Sequence, residues 1–236
     1  MNKIRHVLML ALAAVPAVAA AGDWSQDITV YHRTPDPQLK RALALTDQAL
    51  SDPITDNKAS AHRNLSVWAG RALSTQPQQT MKWCAALQKR HKAEKIAPIF
   101  KLAATPDSGR CITQLKLNGE ARQSIANIPS AAQLAAAPIS PASLDDRWVA
   151  FYVTGQAKYV EEIAAYVADN AGMTDKFAKK ERRTRGDAFN AVTFQAARWS
   201  LASNMAQYPE IRRIVDKYAA TLPAAKRQAL DKELKK

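Results

Sequence analysis

The stretch DDRWVAFYVTGQAKYVEEIAAYVADN, residues 145–170, and the stretch DAFNAVTFQAARWSLASNMAQYPEIRRIVDKYAATL, residues 187–222, together decide the fold. Apolar residues recur through both at helical spacing. They are punctuated by Thr154-Gly155, Asn170-Ala171-Gly172, Gly186-Asp187 and Pro209, so the pattern predicts short helices packed on one another. Trp148, Val149, Phe151, Tyr152 and Val153 leave the first of these apolar on nearly every side, which makes it central. Tyr159, Ile163, Tyr166 and Val167 give the second an inward face, with Lys158, Glu161, Glu162 and Asp169 outside it. Phe189, Val192, Ala196, Trp199 and Met205 read as the buried stripe of a longer helix, and Ile211, Ile214, Val215 and Tyr218 line the next.

Upstream, the same periodicity predicts further helices. One opens at Asp36-Pro37 and buries Leu39, Ala42, Leu43, Thr46, Ala49 and Leu50. Another begins near Thr55-Asp56 and carries Leu65, Trp68, Ala72 and Leu73, and a third starts at Pro77 and turns Met81, Cys84, Ala85 and Leu87 inward. Pro98 predicts a kink or break. CITQLKL, from Cys111 to Leu117, fits neither period cleanly, but a lone strand is unstable, so it is expected to be helical. Residues 22–35 are too polar and short for an element of their own and are expected to lie across the surface. Pro138-Ile139-Ser140-Pro141 is the best linker. The expected organisation is an all-α array of stacked helical hairpins, irregular and tetratricopeptide-like, with an N-terminal half at 22–137, a linker at 138–141 and a C-terminal half at 142–236.

Residues 1–21 have the pattern of a signal peptide. Lys3 and Arg5 precede the uncharged run VLMLALAAVPAVAA, and Ala19-Ala20-Ala21 supplies small residues for cleavage before Gly22. An apolar run of about 14 residues is shorter than the roughly 20 that span a bilayer as a helix. No Cys at the junction could accept a lipid. The mature chain is therefore expected to be soluble, in the periplasm or secreted. Removing Lys3 and Arg5 lowers the formal charge from +13 only to +11.

Cys84 and Cys111 are the only cysteines. In an exported protein two such residues most simply pair, closing a loop of about 27 residues. A redox pair would call for CxxC spacing, which is absent.

The sequence carries no catalytic signature. Asp145 and Asp146 stand where a helix cap is needed, and Glu161-Glu162 are neighbours that point in different directions on a helix. His32, His62 and His91 are far apart, no GxSxG elbow occurs, and the seven glycines are scattered, so neither a nucleophilic triad nor a phosphate loop is expected. No catalytic residue, metal ligand or cofactor is assigned. A basic cluster comprises Lys176, Lys179, Lys180, Arg182, Arg183 and Arg185. Such a cluster attracts polyanions, which outside the cytoplasm means anionic lipid, lipopolysaccharide or an acidic protein and not nucleic acid. Most aromatic residues fit core positions, while Trp148, Tyr152, Tyr159 and Trp199 are candidates to line a groove for a peptide or partner helix.

The residues Asp146-x-Trp148-x-x-Phe151-Tyr152-x-Thr154-Gly155-x-x-x-Tyr159-Val160, with Ala196-Ala197-x-Trp199-Ser200-Leu201-Ala202-Ser203-Asn204 and Tyr208-Pro209, resemble a group of uncharacterised exported helical proteins of proteobacteria. The resemblance implies stacked tetratricopeptide-like hairpins over this region and no activity. The tetratricopeptide signature of Trp, Leu-Gly and Tyr at fixed offsets is not reproduced. The expected role is a binding or adaptor module for another envelope protein or peptide. The alternatives are a cell-wall-active enzyme or enzyme inhibitor, and an electrostatic binder of anionic envelope lipid.

Overall fold

The structure is a computed structural model that describes residues 24–180 and 184–235. The expected signal peptide, residues 1–21, and the expected cleavage point before Gly22 lie outside the described residues. Among the described residues the chain is all-helical, without strands. In chain order the helices are α1 (Trp24–Thr29), α2 (Lys40–Leu50), α3 (Pro53–Asn57), α4 (Ala59–Ser74), α5 (Thr80–Gln88), α6 (Ala93–Ala103), α7 (Ser108–Gln114), α8 (Gly119–Ala126) and α9 (Ala131–Ala136). They continue with α10 (Pro141–Thr154), α11 (Lys158–Asp169), α12 (Met173–Lys179), α13 (Arg185–Gln207), α14 (Pro209–Thr221) and α15 (Ala224–Leu234). No helix among the described residues is long and apolar enough to cross a membrane.

Two cores form. The first gathers α2, α4, α5, α6 and α7 around Trp68, Trp83 and Phe100. The second gathers α10, α11, α13 and α14 around Trp148, Phe151, Ile163, Phe194 and Leu201. Helix α10 belongs to both, because Val149 and Val153 face the first core while Trp148, Ala150 and Phe151 face the second. Its all-round apolar character in the sequence reflects this position. Its N-cap is Ser140, whose side chain accepts from the Ser143 amide while Ser143 Oγ accepts from the Ser140 amide. The cap thus sits ahead of both Ser143 and Asp145.

The disulfide joins Cys84 of α5 to Cys111 of α7, with Cα atoms 5.9 Å apart. The ambiguous segment is helical from Cys111 through Gln114. Other expectations need correction. Asp36 does not open a helix at its own position: Leu39 lies in the left-handed region and α2 begins at Lys40, although both Asp36 carboxylate oxygens accept amides there, from Lys40 and Ala42. Pro98 neither breaks nor ends α6, because the flanking Ile96, Ala97, Ile99 and Phe100 are buried and hold the helix in place. Gly186-Asp187 is no break either, since both lie in the first turn of α13, capped by Thr184 and Asp187.

Residues 24–34 do carry an element of their own, α1, and are packed into the fold instead of merely lying across the surface. Trp24 Nε1 donates to Asp52 Oδ2 at 3.0 Å, and Tyr31 is buried edge-on to Trp68. Tyr208 and Thr29 are joined by a hydroxyl–hydroxyl hydrogen bond, and Arg33 is paired with Glu210. His32 packs on the Phe151 ring at 4.8 Å and on Gly155. The segment straps the first core to the α13–α14 corner.

Candidate interaction surface

The candidate site residues are best read from α13 outward. Its inward face consists of Ala191, Phe194, Ala197, Leu201 and Met205, all buried in the second core. The stripe expected to be buried, Phe189, Val192 and Trp199, is instead on the outside, with exposures of 53, 38 and 42 %. These are the exposed large apolar side chains among the described residues. The sequence pattern misled because α13 is apolar on two opposite faces, and only packing decides which is covered.

The outer face has its own order. Arg185, Phe189, Val192, Ala196, Trp199, Ser203 and Ala206 are separated alternately by four and three residues. This is the spacing of a seam that another helix packs along. The large residues Phe189 and Trp199 stand about 15 Å apart along the axis. Ser203 and Ala206 are small enough to receive a neighbour's side chains, and Ala196, partly buried against the second core, leaves a low point between Val192 and Trp199.

Helix α12 packs against α13, and Gln195 Nε2 of α13 donates to Thr174 Oγ1 at 2.6 Å. Lys176, Lys179, Lys180 and Arg185 are exposed around the N-terminal end of α13; Arg182 and Arg183 lie outside the described residues. Lys180 Nζ is anchored to both oxygens of Asp187 at 2.7 Å. Hydrogen bonds from Lys180 and from the Thr184 amide and hydroxyl hold the Asp187 carboxyl down to about 2. At the other end of α13, Arg212 and Arg213 are exposed in the first turns of α14, beside the Arg33–Glu210 pair. The outer face is thus uncharged along most of its length, with cations at both ends.

The other groove candidates serve a different purpose. Trp148 Nε1 donates to Ser200 Oγ at 3.2 Å, and Tyr152 Oη donates to Asn204 Oδ1 at 2.7 Å. Two rungs four residues apart therefore fasten α10 to the inner side of α13. Burial pushes the Tyr152 phenol well above its usual value. Tyr159 is buried, and its hydroxyl accepts from Arg71 at 2.7 Å. Of the four aromatics, Trp199 alone faces outward.

Two of the carboxylates near the start of α10 and α11 are structural. Asp146 is buried and bridged to Arg63, and Glu162 accepts from Arg147, whose other donors reach the Ser143 and Ala137 carbonyls. The His91 ring meets Asp47 at 2.7 Å. Among the described residues no group of three or more His, Cys, Asp or Glu is placed to hold a metal ion. A shallow depression between α2 and α5 is floored by Leu43, Ala44 and Leu87. Its one carboxylate, Asp47, is already engaged by Arg90 and His91.

Fold and surface together define an all-α protein whose longest helix carries one uncovered apolar face. No known family model, curated protein or solved structure matches the chain.

Proposed function

We propose that this is an exported binding or adaptor protein of the bacterial envelope, an irregular tetratricopeptide-like array that engages another envelope protein through the outer face of α13. The observation that carries this reading is the exposure of Phe189, Val192 and Trp199 on one side of a helix whose other side is fully packed. Contiguous exposed apolar residues in a soluble domain mark interaction sites, and aromatic anchors contribute a large share of binding energy at such sites. The leader pattern and a disulfide in a two-cysteine chain support an oxidising compartment.

A second reading, docking on anionic envelope lipid or lipopolysaccharide, draws on Phe189 lying one turn from Arg185 at the end of α13 where Lys176 and Lys179 are exposed. A cell-wall-active enzyme or inhibitor draws less support, since Asp146 and Glu162 are tied up in ion pairs. The deciding experiment is a crosslinking pull-down of the oxidised protein from its own envelope, with Trp199→Ala in parallel. Recovery of one stoichiometric protein by the parent chain and its loss with the variant is the expected result. Recovery of lipid or wall polymer alone overturns the adaptor reading.

A further inference from the structure

We infer that the occupant of the α13 outer face is an acidic amphipathic helix of the partner protein, about three heptads long, lying along α13 at a shallow crossing angle. This rests on the adaptor reading and names what it binds. The first support is the seam. Alternate spacings of four and three residues, with large Trp199 set between small Ala196 and Ser203 and large Phe189 nearer the start of the seam, match knobs-into-holes packing. A lipid surface requires neither the repeat nor the holes.

The second support is charge. Cations stand at both ends of the seam, with Lys176, Lys179 and Arg185 at one and Arg212 and Arg213 at the other. Two of the acids nearby are engaged, since Asp187 holds Lys180 and caps α13 and Glu210 holds Arg33. Exposed Asp216, one turn beyond Arg212 and Arg213, leaves that end the less positive of the two. A second copy laid parallel would set Arg185 beside Arg185. Laid antiparallel, it would bring the lysines of α12 against Arg212 and Arg213. Both arrangements oppose like charges, whereas glutamates flanking the apolar stripe of a foreign helix would meet cations at each end.

The test uses two synthetic 21-residue helical peptides with identical leucine and alanine seam positions, one with glutamate and the other with lysine at all flanking positions. Binding to the oxidised protein is read from intrinsic fluorescence and calorimetry. Vesicles of phosphatidylglycerol and phosphatidylcholine, and sedimentation of the protein alone, complete the comparison. The expected result is binding of the glutamate peptide at least ten-fold tighter than its twin. That affinity should fall as salt rises and drop at least ten-fold in Trp199→Ala and in Arg185→Glu. Both side chains are exposed, so unchanged helicity and melting should accompany the loss. Equal affinity for the two peptides overturns the inference, as does preferential transfer to vesicles, or self-association that Trp199→Ala abolishes. A native partner that is lost with Trp199→Ala while the glutamate peptide fails to bind removes this inference and leaves the adaptor reading standing. If Trp199→Ala also leaves native partner recovery unchanged, both fall.

Discussion

The guanidinium of Arg63, on α4, reaches both carboxylate oxygens of Asp146, on α10, at 3.0 Å, joining residues 83 positions apart in the chain. The two ends of the pair are unequal, because the Asp146 side chain is only 3 % exposed and that of Arg63 is 41 % exposed. Removing Arg63 strands a buried charge. Removing Asp146 leaves a guanidinium that water can reach. Arg63→Ala is therefore expected to cost about 3 kcal/mol and Asp146→Asn about 1 kcal/mol. Urea unfolding of both variants checks this, and equal losses would show that the desolvation asymmetry is not what governs the pair.

The disulfide between α5 and α7 closes a loop of 27 residues within the first core. In the chain-entropy account such a loop contributes about 3–4 kcal/mol. Reduction, or Cys84→Ser with Cys111→Ser, is expected to lower the melting temperature by roughly 10 °C for a chain of this size. The loss should concentrate in the protection of α5 to α7 by hydrogen exchange. A uniform change across both cores would argue against a local staple.

How much of this was legible in the sequence depends on whether one local pattern could settle a position. Helix α10 was legible, since an aromatic and aliphatic run with no polar side fits a helix shared by two cores. The cysteine pair was legible because two cysteines in a chain whose first residues predict export leave few options. The strap at residues 24–34 was not. Tyr31 and His32 are buried by Trp68, Phe151 and Gly155, contacts supplied by helices far away in sequence. The burial of Asp146 was hidden for the same reason, since its partner lies on α4. In α13 the sequence reads as one stripe, from Phe189 to Met205, which mixes the exposed Phe189, Val192 and Trp199 with the buried Met205. It does so because periodicity alone carries no information about which of two apolar faces the rest of the fold covers.

Gly70 marks a close approach of α4 and α6. A Cβ placed there would lie 2.7 Å from Leu102 Cβ and 3.0 Å from both the Ala103 amide nitrogen and the Ile99 carbonyl oxygen. Replacing a helical glycine by alanine ordinarily gains about 1 kcal/mol. Here two of the three obstructing atoms are backbone, so α6 must move, and overpacking of this kind costs about 1–3 kcal/mol. Gly70→Ala is expected to destabilise by up to about 2 kcal/mol net in chemical denaturation. A stabilised variant would mean that the helices separate freely at this crossing.

His32 gives the strap a pH dependence. Burial against Phe151 and Gly155 lowers its imidazole below the usual 6.5, and the Glu210 carboxylate, 3.8 Å from Nε2, opposes that shift without cancelling it. A histidine whose folded value is depressed binds more protons when unfolded, so stability rises with pH through the window just below 6.5. Acidification from pH 7.5 to 5.5 is therefore expected to lower the melting temperature, and His32→Gln should flatten that slope. Glu210 titrates in a separate window. Burial raises its carboxyl, but its own amide and Arg33 outweigh this and hold it below the usual value, so the contribution of the Arg33 pair persists until more acidic solution. A slope unchanged in His32→Gln would assign the pH dependence elsewhere.

The two faces of α13 predict opposite responses to one kind of substitution. Phe194 is buried in the second core, so Phe194→Ser should cost about 3–5 kcal/mol and impair folding itself. Phe189, five positions earlier, is 53 % exposed. Phe189→Ser removes little from the folded monomer and should change its stability by no more than about 0.5 kcal/mol. If the outer face is a docking surface, that same variant should lose about 1–2 kcal/mol of partner binding, which is a five- to thirty-fold weaker complex. Unfolding curves and partner titrations on the two variants separate the roles. A Phe189→Ser protein that is destabilised as much as Phe194→Ser would show that the outer stripe is part of the core after all, and the case for an interaction surface on α13 would end there.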